Sequence, residues 1–508
     1  MGDTEKTAGN NNKFLKGTLI LTVSSIVVKV IGSLNWIILS RVLGGEGIGL
    51  YQMGFPIYLM AITLSSAGIP VAISIITAEK LAQKDFLGAK RVFNVSLRLL
   101  FVTGLVFASA LFFGAQWLID HHWIRDGRAY YSIIALAPAV FFVTFLASFR
   151  GYLQGWQIMT PTAASEIVEQ LMRVVTMIVF ANMFMPHGLA YAAGGASMGA
   201  GVGAFCALLV LMWFYRRLKH KLKEDLQHQN PLATIESARA IISRLLRLAL
   251  PVSMSSLMLP VVANLDLLIV PQRLEAAGFH ISQATEFFGY LTGMAVPLIN
   301  LATIFTAAMT ISLVPAISES RALNDVFGIR AKTRTAFRVA LIITCPCFVG
   351  MYFLAEKIAA LIYNAPGAAS AIQTMSVGIM LLGLHQISTG ILQGLGRTSI
   401  PVINMILAAA VKVFLSWTLT AIPTLGIRGA AMATVVDFGL AAILNMIFIY
   451  KYTGFALSFG GVFKPAAAAA VMGAAVYGVI TLTANWGAWA ILAAMAVAVP
   501  VYGGVLLA

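Results

Sequence analysis

Fourteen apolar stretches, each long enough to cross a bilayer, follow one another along the 508 residues of this chain. They cover residues 17–43, 48–78, 92–118, 130–153, 162–184, 189–215, 245–271, 284–317, 333–354, 370–393, 400–422, 427–450, 465–484 and 487–507. A spanning helix needs about 20 mostly apolar residues, and backbone in lipid must satisfy its own hydrogen bonds. The chain is therefore expected to be an all-α polytopic membrane protein. Composition agrees: 59% of residues are hydrophobic, 10% are charged, and the mean hydropathy is +0.88. A soluble globular chain is about 45–50% apolar and about 25% charged. An ordinary cytosolic enzyme, a disordered chain and a nucleic-acid-binding protein are excluded on that ground.

The net charge of +15 then reads as a topology signal. Of the 34 Lys and Arg residues, 25 lie in the N-terminal tail or on the side reached after even-numbered spans, and 6 on the other side. Span-end cations are counted with the nearer side, and Lys29, Arg173 and Lys412 lie deep within spans. The positive-inside bias places both termini in the cytoplasm. The polar tail 1–16 runs into the first span without a small-residue cleavage signature, so a membrane helix is expected there and not a removed signal. Cys206, Cys345 and Cys347 fall in apolar runs and form no metal or disulfide pattern.

The chain repeats itself. Gly151-Tyr152-Leu153-Gln154-Gly155 recurs as Gly390-Ile391-Leu392-Gln393-Gly394, and nineteen residues after each glutamine stands a cation, Arg173 and Lys412. Gly88 precedes Arg98 by ten residues, as Gly328 precedes Arg338. Residues 17–215 and 245–450 thus read as two six-span lobes joined by a polar cytoplasmic linker, 216–244. Six is even, so both copies enter the membrane from one side, a parallel repeat of the kind some transporters use. The segment 451–508 adds two spans outside the repeat, and it carries no charge after Lys464.

No catalytic constellation stands out, so a transporter is expected and not an enzyme. A phosphate loop between strand and helix is missing. The run Gly44-Gly45-Glu46-Gly47-Ile48-Gly49 joins two apolar stretches and reads as a membrane turn. Of the histidines, the adjacent His121 and His122 form no convincing metal site. Transport would draw on an ion gradient, the membrane potential or the substrate's own gradient, with no cofactor and with Na+ or H+ as the possible coupling cation.

Ionisable groups inside a span cost roughly 2.5–3.5 kcal/mol each and tend to face a cavity or a partner. Lys29 lies about 18 Å along the first span, near the midplane, and Arg173 and Lys412 about 16 Å into theirs. These three cations, with Arg41 at the outer end of the first span, are the candidate contacts to an anionic substrate group. Asn35, Glu166, Glu169, Asp266 and Asp437 are the polar or coupling candidates. Glu166, Glu169 and Arg173 share one helical face, so an internal ion-pair ladder and a substrate role both remain open for them. Gly32, Pro56, Pro260 and Pro297 interrupt matched spans of the two lobes and are the expected hinges for alternating access.

A family resemblance rests on particular segments. Phe14-Leu15-Lys16-Gly17-Thr18-Leu19-Ile20, Arg41 to Gln52, Ala67-Gly68-Ile69-Pro70-Val71-Ala72-Ile73-Ser74 and the two Leu-Gln-Gly motifs carry it. They resemble stage V sporulation protein B and related polysaccharide-biosynthesis transporters, themselves similar to the MurJ lipid II flippases and to the MATE exporters of the same (MOP) superfamily. The resemblance implies a central cationic cavity and two extra helices forming a groove for a polyprenyl tail. It implies an undecaprenyl-pyrophosphate-linked glycan as substrate, cell-wall synthesis enzymes as partners, and the bacterial cytoplasmic membrane as location. Lys29 matches a basic position of the MurJ-type cavity. The further arginines of that family in helices 1, 2 and 8 have no counterpart here. A cation-coupled multidrug exporter of the MATE type is the alternative.

Overall fold

The computed structural model describes residues 2–66, 68–225, 229, 236–457, 459–483, 486–487 and 489–507. Among them the chain is helical and contains no strand. Its helices are α1 (Gly2–Ser66), α2 (Ile69–Ala82), α3 (Phe86–Asp120), α4 (Tyr130–Gly155), α5 (Thr160–Phe184), α6 (Leu189–Asp225), α7 (Ala238–Ala276), α8 (Ile281–Gly289), α9 (Val296–Ala302) and α10 (Ile304–Ala322). They continue with α11 (Val326–Lys357), α12 (Ala369–Gly394), α13 (Ser399–Leu419), α14 (Ile427–Thr453), α15 (Phe459–Leu482) and α16 (Trp489–Leu507). Twelve helices are long and apolar enough to cross a membrane, or thirteen with the bent pair Ile281–Ala302 and Ile304–Ala322 counted as one span. One of the twelve is the 60-residue run Val23–Ala82. A continuous helix of that length would measure about 90 Å against a hydrocarbon core of about 30 Å. The run is interrupted at Gly44.

Gly44 is the one residue inside α1 with non-helical dihedrals (φ 67°, ψ −178°), a conformation that glycine reaches without a Cβ penalty. The rest of the glycine run is helical and serves packing instead of turning. A Cβ on Gly45 would fall against the Tyr290 ring, one on Gly49 against the Thr285 carbonyl, and one on Gly289 against Gly45. The expected membrane turn thus shrinks to a single residue, followed by a glycine face that admits a neighbouring helix.

Two units emerge from the contacts within the chain. The first comprises Met1–Asn35 with Leu50–Leu267, the second Trp36–Gly49 with Leu268–Ala508. The dividing lines fall inside α1 and α7 and not in the polar linker, so the sequence repeat and the packing units have different borders. Both ends of the expected linker 216–244 are helical, in α6 and α7, while residues 226–228 and 230–235 lie outside the described residues.

In the first unit α2, α3, α4 and α6 share an apolar core around Ile73, Phe93, Leu100, Tyr152 and Leu211. The Phe93 ring meets Phe149 edge-on at 5.2 Å and Tyr152 at 4.6 Å. The α2–α3 corner is held by charge. Lys80 pairs with Asp85 at 3.3 Å and with Glu236 at 2.6 Å, and Arg244 pairs with Glu79. Asp85 caps α3 by accepting from Gly88 N at 2.8 Å, and Gln229 Nε2 donates to it at 2.9 Å.

The second unit centres on α12, packed against α10, α11 and α14. A buried polar layer crosses it. Asn404 Nδ2 donates to Asn445 Oδ1 at 2.8 Å, and Asn445 Nδ2 donates to Ser388 Oγ at 3.2 Å and Thr389 Oγ1 at 3.1 Å. Asp325 caps α11 by accepting from Gly328 N at 2.8 Å, the counterpart of Asp85 on α3. The residues before the caps, Lys84 and Asn324, have φ of 56° and 53°. The same corner is built twice, as the repeat requires.

Candidate functional site

The first unit gathers four of the ionisable groups of its spans into one cluster. Arg150 near the end of α4 donates through Nη2 to Glu169 Oε2 at 2.8 Å, and through Nε to Ser165 Oγ at 3.2 Å. Arg173, one turn along α5 from Glu169, donates through Nη2 to Glu169 Oε1 at 2.9 Å. One carboxylate therefore bridges two guanidiniums, with side-chain exposures of 14% for Glu169 and 18% for each arginine. Glu166 stands three residues before Glu169 on the same face of α5. Tyr51 and Tyr58 of α1 are buried beside Arg173. The Arg173 Nε is buried with no acceptor among the described residues.

Small residues bring this cluster together. Gly195, Gly199 and Gly203 stand at intervals of four along α6. Cβ atoms there would lie 2.8 Å from Phe180 O, 2.9 Å from Arg173 O and 2.5 Å from Glu169 O. Glycine at these positions lets α6 touch the backbone of α5, the small-residue packing typical of membrane helices. It holds α5 at the register that faces Glu169 and Arg173 toward α4 and α1. With Glu166 and Glu169 against Arg150 and Arg173, the cluster is formally balanced, so Arg173 is not a surplus positive charge.

The other expected residues are distributed as follows. Lys29 is exposed on α1, with no carboxylate at ion-pair distance among the described residues. Gly32 lets α1 approach α5, since a Cβ there would lie 3.1 Å from Gln170 Nε2. Asn35 is buried, with Nδ2 3.6 Å from Met177 Sδ and Oδ1 without a partner among the described residues. Arg41 donates to the carbonyls of Leu361 and Ile362, so its guanidinium caps the end of the helix that carries Lys357. Asp266 is half-buried on α7. Lys412 and Asp437 are buried on α13 and α14, two helices that pack together.

Pro56 and Pro260 share a partner. The Asn264 amide donates one proton to Pro56 O and one to Pro260 O, each at 2.8 Å. Helix irregularity is found at two places. The chain breaks between α1 and α2, where Gly68 has φ 74° and Pro70 opens the new helix. In the second lobe a π-helical turn, Tyr290–Ala295, precedes Pro297, and a 51° bend follows at Thr303. Gly68 and Thr303 are 235 residues apart, so the two breaks match within the repeat.

Arg150, Tyr51, Tyr58 and Asn264 were not marked by the sequence reading. For Arg150 a signal existed, because it immediately precedes the repeated Gly151 motif. Its counterpart one residue before Gly390 is Thr389, itself part of the buried polar layer. Among the described residues no group of three His, Cys, Asp or Glu side chains could hold a metal ion.

A multi-pass helical bundle with paired charges inside its spans defines a membrane transport protein. Residues 14–321 match the Polysaccharide biosynthesis protein family, and residues 292–418 match the MatE family. Stage V sporulation protein B of Bacillus subtilis is 31% identical over 439 residues, covering 86% of this chain and 84% of that protein. Lipid II flippase MurJ of the same organism is 23% identical over 460 residues, covering 88% and 84%. A solved structure of lipid II flippase MurJ in an inward closed conformation superposes with a TM-score of 0.71 at 13% identity, covering 96% of this chain and 98% of that one. The chain belongs to the polysaccharide biosynthesis protein family of membrane transporters.

Proposed function

We propose that this protein is a flippase. It moves an undecaprenyl-pyrophosphate-linked cell-wall precursor, lipid II or a related lipid-linked oligosaccharide, across the bacterial cytoplasmic membrane by alternating access, with both termini in the cytoplasm. The observation that carries the reading is kinship over 88% of the chain with a protein named for flipping lipid II. The chemistry is consistent with it. A pyrophosphate cannot cross about 30 Å of hydrocarbon unaided. Lys29, an exposed cation on α1 with no carboxylate at ion-pair distance among the described residues, supports a role in neutralising one. The Arg150–Glu169–Arg173 cluster holds two further guanidiniums in a polar environment that can release a donor to substrate, and among the described residues Arg173 Nε has no acceptor. Arg41 donates to the carbonyls of Leu361 and Ile362 in this conformation.

The match of residues 292–418 to the MatE family supports the second reading, a cation-coupled multidrug exporter. In that case Glu166, Glu169, Asp266 and Asp437 are the coupling candidates for Na+ or H+. One experiment separates the two: complementation of a strain depleted of its lipid II flippase, with drug susceptibility profiled in parallel. Rescued growth with unchanged susceptibility supports the flippase. Raised resistance without rescue supports the exporter.

A further inference from the structure

The chain builds one helix corner twice and, among the described residues, covers it once. At a constant offset of 240, Gln83, Asp85, Leu87 and Gly88 of the α2–α3 corner correspond to Leu323, Asp325, Phe327 and Gly328 of the α10–α11 corner. Each aspartate accepts from its glycine N–H at 2.8 Å. On the first corner the linker supplies a cover. Gln229 Nε2 donates to Asp85 Oδ1 at 2.9 Å, the Leu87 N–H donates to Gln229 Oε1 at 3.1 Å, and Glu236 meets the Lys80 ammonium at 2.6 Å. Asp85 is thereby only 4% exposed. On the second corner Asp325 is exposed, and among the described residues no side chain bonds it or the Phe327 N–H.

Chain length accounts for the difference. Residues 226–237 connect α6 to α7, whereas the connection from α14 to α15 is only 454–458. Five residues reach at most about 18 Å. They are engaged further along α11, where Arg330 donates through Nε to Thr453 O and Phe455 stacks on Phe337 with ring planes 1° apart. Leu323 and Phe327 are left 74% and 84% exposed. Exposed apolar side chains gathered in one patch mark an interaction surface. The polar contact points persist beside them. Phe327 is the second residue of α11, so its N–H has no acceptor within the helix. Ser320 stands at the repeat position of Lys80, and Lys332 brings an ammonium to it, donating to Ser320 Oγ at 2.8 Å and to Ala316 O at 2.9 Å. A third ammonium proton remains, with Glu319 Oε2 no closer than 4.0 Å.

We propose that the α10–α11 corner docks a peptide segment of a partner protein. The segment lays an amide side chain across Asp325 and the Phe327 N–H, sets a carboxylate on Lys332, and packs an apolar side chain on Leu323 and Phe327. The covered copy favours a polypeptide over the bilayer surface as occupant, because the cover it carries is a polypeptide with these groups. That cover has Leu232 and Ile235 between Gln229 and Glu236 in its sequence. The proposal does not rest on the flippase reading, since it holds for any substrate.

The test uses the full-length protein in lipid nanodiscs and, as probe, a fluorescent synthetic peptide of residues 226–237, the sequence that covers the first corner. Fluorescence anisotropy should show saturable binding. Leu323→Ser/Phe327→Ser should weaken it at least about tenfold, because both side chains are exposed and lose only contacts to the probe. Lys332→Gln should weaken it several-fold, and so should Gln229→Leu or Glu236→Gln made in the peptide alone. Hydrogen exchange read by mass spectrometry identifies the corner that is occupied. The peptide should slow exchange over residues 321–329 and leave 83–89 unchanged. Absence of saturable binding, or equal binding by the Leu323→Ser/Phe327→Ser variant, would overturn the proposal. So would protection confined to 83–89, which would show the probe replacing the protein's own linker. A segment 321–329 already protected in nanodiscs and indifferent to the peptide would assign the corner to the bilayer surface instead.

Discussion

Glu169 is the residue whose loss should be felt most. It accepts from Arg150 at 2.8 Å and from Arg173 at 2.9 Å, and its side chain is 14% exposed. Glu169→Gln keeps the shape and removes the charge. At about 4 Å and an effective dielectric of about 20, each ion pair is worth roughly 4 kcal/mol before desolvation. Measured losses on breaking a buried pair run to about 3–5 kcal/mol, because the remaining charge is left buried without a partner. The residual exposure favours the lower end, so about 3 kcal/mol is expected for Glu169→Gln. Arg173→Gln should cost about 2 kcal/mol, because Glu169 retains Arg150. The double variant should cost well under their sum, with a coupling of about 1–2 kcal/mol. Equilibrium unfolding by SDS in mixed micelles gives all three values. Singles below about 0.5 kcal/mol that add without coupling would refute the view that this cluster carries structural weight. Arg173 would then be a substrate contact, with normal expression and reduced transport in Arg173→Ala.

Three further perturbations test other parts of the argument. Lys29→Ala should abolish lipid transport while the protein still reaches the membrane, and Lys29→Arg should retain part of it; normal flipping by the alanine variant in a vesicle assay removes Lys29 from the site. Asn264→Leu deletes both hydrogen bonds to the carbonyls of Pro56 and Pro260 and should cost about 1–3 kcal/mol in the same micelle assay; no change would show that the two prolines are held by packing alone. Asp85 is partly buried, which raises its carboxyl pKa, but hydrogen bonds from Gln229, the Gly88 N–H and Lys80 outweigh burial and lower it. A depressed folded-state value means that its contribution is complete above the unfolded value of about 3.9 and is lost as pH falls through the folded value. Asp85→Asn should therefore flatten the acid limb of the stability profile measured between pH 5 and the acid midpoint, and an unchanged limb would assign it to other carboxylates.

The apolar runs by themselves determined that the chain is helical and crosses a membrane many times. Lipid offers no hydrogen-bond partners, so the element type follows from composition over about 20 residues, a local property. The repeat was legible for a similar reason. Gly-x-Leu-Gln-Gly and the Asp-capped corners at Gly88 and Gly328 are short local motifs, and the structure builds both corners with the same cap. The Glu169–Arg173 pair was readable from its four-residue spacing. What joined that pair was not. Arg150 comes from another helix, nineteen residues upstream, and its meeting with Glu169 depends on how closely α6 presses on α5. The prolines show the same limit. Their positions were plain in the sequence, but not that the helix breaks fall at Gly68 and at Thr303, six residues past Pro297, or that Asn264 bonds the carbonyls of Pro56 and Pro260. Whether a proline bends its helix depends on which neighbour supports the backbone around it. Likewise the glycine run at 44–49 yielded a single turn residue, because only packing against Thr285 and Tyr290 reveals which glycines are there for closeness and which for conformation. Local hydrogen-bonding demand fixed the helices of this protein, while tertiary packing decided which charges meet and where those helices break.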